Sequence, residues 1–169
     1  MDYHLENLGA DRFQQLCQAL LVKQFPDLLC LPIGQPDGGR NALTYFGEVR
    51  AGGFLVYHVK FVKRPLVEPD PHKWLTAIIK GEAPKIRNLI PRGAKHYYLL
   101  TNVLSTAHLD IGPMDKVHHI LRRIIEIPSD CWWRDDLCRR LDLCSEVRWA
   151  YPELMTGMDL LRLFAEDGL

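Results

Sequence analysis

Residues 34 to 61 read "GQPDGGRNALTYFGEVRAGGFLVYHVKF". Two runs rich in aromatic and β-branched residues, NALTYF and GFLVYHVKFV, flank the glycine-bearing GEVRAGG. Such runs favour strands and such a connection favours reversal, so the pattern predicts an antiparallel hairpin over residues 41 to 62. A turn centred near Arg50 gives cross-strand partners an index sum of about one hundred, which sets Asn41 opposite a residue close to His58. Asp37 would then face Lys63, beyond the ladder. Residues i and i+2 of a strand share a face, so His58 and Lys60 point one way and Tyr57 and Val59 the other. The DGG step ahead of the hairpin is turn chemistry, because glycine admits positive φ without a Cβ clash.

Working outward, GADRFQQLCQALLVKQ (9 to 24) places Phe13, Leu16, Cys17, Leu20 and Leu21 at the three- and four-residue spacings of an amphipathic helix. LLCLPIG (28 to 34) suits a short buried strand. Pro65, Pro69 and Pro71 mark a loop. A helical segment follows, with a break expected near Gly81 or Pro84. KHYYLLTNV (95 to 103) reads as another strand. The segment 112 to 127 puts Val117, Ile120, Leu121, Ile124 and Ile125 on one helical face. The remainder suggests two or three short helices separated at Pro152 and Gly157. The order helix, strand, hairpin, helix, strand, helix predicts an α/β domain with a mixed sheet and helices on both faces. A length of 169 residues fits one such domain.

Lysine and arginine number 21, as do aspartate and glutamate, so no overall basic field draws in a polyanion from a distance. Nucleic-acid contact must come from a local patch or from a partner. Arg40, Lys63, Arg64 and Lys73 flank the hairpin and are candidate phosphate contacts, while Arg122, Arg123, Arg139 and Arg140 form further clusters. The five cysteines lack close C-x₂₋₄-C pairs and follow no secretory signal, the usage expected of reduced thiols in a cytoplasmic protein. No apolar run reaches the length of a membrane span. Motifs for P-loops, dinucleotide folds and serine hydrolases are absent from the sequence.

Metal-assisted phosphodiester hydrolysis needs carboxylate oxygens for a hard divalent cation, and a positive group to organise water and offset charge. Pro36-Asp37, the DGGRNA turn and HVK at 58 to 60 resemble the motif of the PD-(D/E)xK, or restriction-endonuclease-like, nucleases. The likeness is to the Mrr-like branch, whose pattern runs D-G-G-x-D, a hairpin, then Q-x-K. Such domains occur as N-terminal effectors of bacterial antiphage STAND NTPases of the Avs type and in the nuclease of cyclic-oligonucleotide defence systems. YYLLTN and the stretch WWRDDLCRRLD to RWAYPELMTGMDLLRLF are similar to that group too, so the resemblance spans nearly the whole chain.

The resemblance implies a restriction-endonuclease-like core with its active site on the hairpin, in one domain over residues 1 to 169 at the N-terminal part of a larger protein. It implies a metal-dependent endonuclease acting on double-stranded DNA in antiviral defence, with Mg²⁺ or Mn²⁺. Asn41 and Asp37 are the candidate ligands, His58 fills the acidic or glutamine slot, and Lys60 orients water and stabilises charge. Gln14 stands where the family often carries a helical acid, with Glu6 a weaker candidate. Self-association driven by a C-terminal NTPase or sensor part would supply DNA affinity.

The sequence departs from the pattern at two positions. Asparagine at 41 offers a neutral carbonyl in place of a carboxylate, and the imidazole of His58 suits Mn²⁺ or Zn²⁺ better than Mg²⁺. Asn41 is either a shape-conserving exchange in a working enzyme or the native residue of a domain that is weakly active or uses Asp37. A catalytically inactive nuclease fold, serving as a nucleic-acid-binding or protein-interaction module, is the alternative from a different functional class.

Overall fold

The computed structural model describes residues 1–45, 52–65, 70–105 and 112–166, with the backbone alone at 71, 72 and 113. Among these, β1 (Leu29–Cys30), β2 (Ala42–Tyr45), β3 (Phe54–Lys60), β4 (Ala94–Thr101) and β5 (Ser129–Trp132) form a five-stranded sheet in that spatial order. The β1–β2 and β2–β3 pairs are antiparallel, and β3–β4 and β4–β5 are parallel. The parallel pairs need crossovers, which α2 (Pro71–Leu89) and α3 (Pro113–Ile124) supply. These two helices cover one face of the sheet. On the other face lie α1 (Gly9–Gln24), α4 (Arg134–Asp142), α5 (Ser145–Trp149) and α6 (Gly157–Glu166). The chain is therefore an α/β protein with a mixed sheet and helices on both faces.

The alternation of β3 divides the core. Phe54 and Val56 pack with Leu75, Ile79 and Ile86 of α2 and Val117 and Leu121 of α3, while Tyr57 packs with Phe13, Leu16 and Leu20 of α1. The antiparallel register pairs Ala42 with Tyr57, so the index sum is 99 and the next step of the ladder sets Asn41 against His58. The connecting turn expected at GEVRAGG falls largely at 46–51, outside the described residues.

Three expectations need correction. LLCLPIG forms only the two-residue β1, and Leu29 is 42% exposed because this edge strand has a neighbour on one side alone. The helix α2 runs through Gly81 and Pro84 without a break. Pro84 and Lys80 both lie on the solvent side, so the Lys80 carbonyl that loses its helical donor can be hydrated. Finally, SDCW forms a strand, β5, although the stretch lacks a two-residue alternation of burial.

Candidate functional site

The hairpin and the turn before it build a polar cluster at the carboxyl end of β3. Asn41 precedes β2 and is almost fully buried. Its backbone N–H donates to Tyr57 O at 2.8 Å, continuing the ladder by one rung. Its side chain bridges two segments: Oδ1 accepts the Val59 backbone N–H at 2.6 Å, and Nδ2 donates to Asp37 Oδ2 at 2.8 Å. Asp37 Oδ1 accepts the Gly39 N–H at 2.8 Å, closing the turn. Asp37 thus reaches position 41 through its side chain and does not sit opposite Lys63.

Gly39 adopts φ +85°, and a Cβ there would lie 3.3 Å from the Lys85 side chain and 3.5 Å from Glu82 Oε2. The second glycine of DGG is needed for both its backbone angle and this close approach to α2. Glu82, on α2, is buried beneath the turn. Lys60 Nζ donates to Glu82 Oε1 at 3.1 Å, and Lys85 Nζ lies 2.9 Å from Oε2 in a charge contact without hydrogen-bond alignment. Burial alone would raise the Glu82 carboxyl. The two lysines outweigh it and hold the group below the ordinary carboxylate range.

His58 sits under Lys60 on the same strand face, with Nδ1 3.0 Å from Tyr97 Oη. Burial, assisted by the Lys60 charge, pushes its pKa down to about 3, so the ring is neutral at physiological pH. Tyr97 is raised well above the ordinary phenol value, also by burial. The pair is a neutral hydrogen-bonded contact within the core.

Asn41, His58 and Lys60 share the sheet face that the hairpin's two-residue period predicts, and Asp37, expected beyond the ladder, joins them through the fold of the turn. Two contributors lie outside that prediction. Glu82 joins the cluster from α2, and Gln18 of α1 donates from Nε2 to both Leu31 O and Asn41 O at 2.9 Å. Gln14 lies one helical turn before Gln18 and is half-buried. Glu6 is committed elsewhere, with its carboxylate 2.8 Å from the buried guanidinium of Arg134. Arg40 Nε donates to Asp37 O at 2.8 Å and braces the turn. Lys63 and Arg64 are exposed just past β3, and Lys73 is exposed and pairs with Asp70 at 2.9 Å.

Mg²⁺ and Mn²⁺ call for several free oxygen donors converging on one point. Here both oxygens of Asp37 accept N–H groups, both of Glu82 face lysines, and His58 Nδ1 faces Tyr97. Among the described residues no group of three His, Cys, Asp or Glu side chains is gathered to hold a metal. The residues present do not fit a divalent cation. Comparison with family models, curated proteins and solved structures returned no match. Among the described residues no helix is long and apolar enough to cross a membrane.

Proposed function

We propose that this chain is an endonuclease domain of the restriction-endonuclease-like type, an effector of bacterial antiviral defence directed at double-stranded DNA, whose metal slot is closed by Asn41. The observation that carries the reading is the bridge made by that side chain. At the hairpin position where the family motif has a carboxylate, an amide joins Val59 N–H to Asp37. An aspartate fits the same space, keeps the acceptor for Val59 and sets a second anionic oxygen beside Asp37. Lys60 then stands on the neighbouring strand face as the positive group the chemistry requires.

Supercoiled-plasmid cleavage with Mg²⁺ and with Mn²⁺ tests the proposal. The unaltered chain is expected to leave the plasmid intact, Asn41→Asp to nick and linearise it, and Asn41→Asp with Lys60→Ala to lose that activity. Failure of Asn41→Asp to cut at concentrations that allow self-association would overturn the reading.

A second reading is favoured by the completeness of the bridge. Both polar atoms of Asn41 are used, which is how a structural asparagine behaves, so the same fold would serve as a non-cleaving nucleic-acid-binding or protein-interaction module. In either case the neutral net charge implies weak DNA binding by one copy, with assembly through a larger parent protein supplying the affinity.

A further inference from the structure

The neutral net charge hides an uneven distribution. From Asp70 to Arg92 and from Gly112 to Glu126, the layer of α2 and α3, there are eight lysines and arginines against four aspartates and glutamates, in a chain with 21 of each. That layer carries +4 and the remainder −4. Ion pairing differs in the same sense. Across the sheet, Arg12, Lys23, Arg139 and Arg162 are each paired with a carboxylate at 2.6 to 3.0 Å. On α2 and α3, Lys80, Lys116, Arg122 and Arg123 have no carboxylate partner among the described residues, and all but the half-buried Lys116 are exposed.

The surface is also shaped. Lys73, Ala77 and Lys80 fall on one stripe of α2 and line a groove with Ile120 of α3. The groove continues into a hollow at His119, Ile120, Arg122 and Arg123, which adjoins another at Asp115, His118, His119 and Arg122. Of the acids on this face, Asp70 pairs with Lys73 and Glu126 with Arg87, while Asp115 lines the hollow beside Arg122 and leaves the layer with its net excess of four positive charges. The uncompensated cations form a ridge that spans two helices.

We propose that the outer face of α2 and α3 is a docking surface for the phosphate backbone of duplex DNA, distinct from the Lys60 cluster. The choice of occupant rests on the nuclease reading together with charge complementarity: unpaired, exposed arginines and lysines release condensed counterions when they meet a polyphosphate. The buried cluster lies between this layer and the sheet, since Glu82 of α2 holds Lys60 of β3. A duplex on the ridge would thus lie about one helix diameter, roughly 10 Å, from Lys60. The surface supplies sequence-independent positioning, and Lys73 becomes part of it.

The test is fluorescence anisotropy of a labelled duplex of about 20 base pairs with the full chain, titrated between about 50 and 200 mM salt, where binding to phosphates is most visible. One variant is Lys116→Gln, Arg122→Gln, Arg123→Gln. Its control is Lys23→Gln, Arg139→Gln, Arg162→Gln, which removes the same charge from the opposite face. The first is expected to weaken binding at least tenfold and to flatten the slope of log K against log salt by about 2 to 3, near 0.9 for each phosphate that is no longer neutralised. The control is expected to stay within about twofold of the parent, a much smaller change than removal of phosphate-binding cations produces. Equal weakening in both, or an unchanged slope in the first, would overturn the proposal. If the triple change impairs folding by circular dichroism, Lys80→Gln with Arg123→Gln, both exposed, asks the same question. Binding is read without cleavage, so an Asn41→Asp variant that never cuts would refute the nuclease reading and leave this result standing.

Discussion

Exchanging Asn41 for aspartate replaces an amide nitrogen with an oxygen 2.8 Å from Asp37 Oδ2, in a nearly closed site. The acceptor for Val59 N–H survives, so the change isolates electrostatics. At an effective dielectric constant of about 20, two unit charges at that separation repel by about 6 kcal/mol. Before that energy is reached, one carboxyl of the pair takes up a proton. A rise of two to three pK units in one member corresponds to about 3 to 4 kcal/mol above the raised value. A raised folded-state pKa means full stability below the unfolded carboxylate pKa near 4, lost as pH rises through about 6 to 7. Urea denaturation of the two proteins from pH 4 to 8, with chelator present, should therefore show equal stability near pH 4. At pH 7.5 the variant should be about 3 kcal/mol less stable, near 10 °C in Tm for a chain of this size. A difference that stays flat across that range would refute the contact and the electrostatic role assigned to position 41.

The His58 ring, held neutral down to about pH 3 by burial, makes the fold less stable in acid, because the unfolded state takes up a proton that the native state refuses. Stability should fall by about 1.4 kcal/mol per pH unit from this group between about pH 6.5 and 3, and His58→Gln, which keeps a partner for Tyr97, should remove one proton from the slope. Arg134 is 1% exposed and anchors Glu6, Asp2 and the Tyr3 carbonyl. Arg134→Ala should cost about 3 kcal/mol in chemical denaturation, since it strands the half-buried Glu6, while leaving DNA binding by the folded protein unchanged.

The hairpin was legible because its signals are local: alternation along β3, glycines between the runs, and a two-residue period that ties Asn41 to His58 through one index sum. Asp37 was legible as a turn residue, but its reach to Asn41 depends on how the DGG turn folds back, which spacing does not specify. Glu82 lies outside the motif, yet its position carries a signal. It falls between Ile79, Ala83 and Ile86 on the apolar stripe of α2, where a lone carboxylate demands a cationic partner. Gln18 similarly interrupts the stripe of Leu16, Cys17 and Leu21 on α1 and marks a buried backbone needing donors. The strand β5 escaped because its place comes from pairing with β4, a non-local contact, rather than from its own four residues. Pro84 is accommodated inside α2 because it and Lys80 lie on the solvent side, where water can replace the donor that the Lys80 carbonyl loses.

Titration calorimetry of Mn²⁺ into the unaltered chain, Asn41→Asp, and Asn41→Asp with Asp37→Asn tests most directly whether Asn41 closes a metal site. No binding is expected by the first, one site in the second, and loss of that site in the third. Equal binding by the unaltered chain and Asn41→Asp, or none by Asn41→Asp, would contradict that role of Asn41.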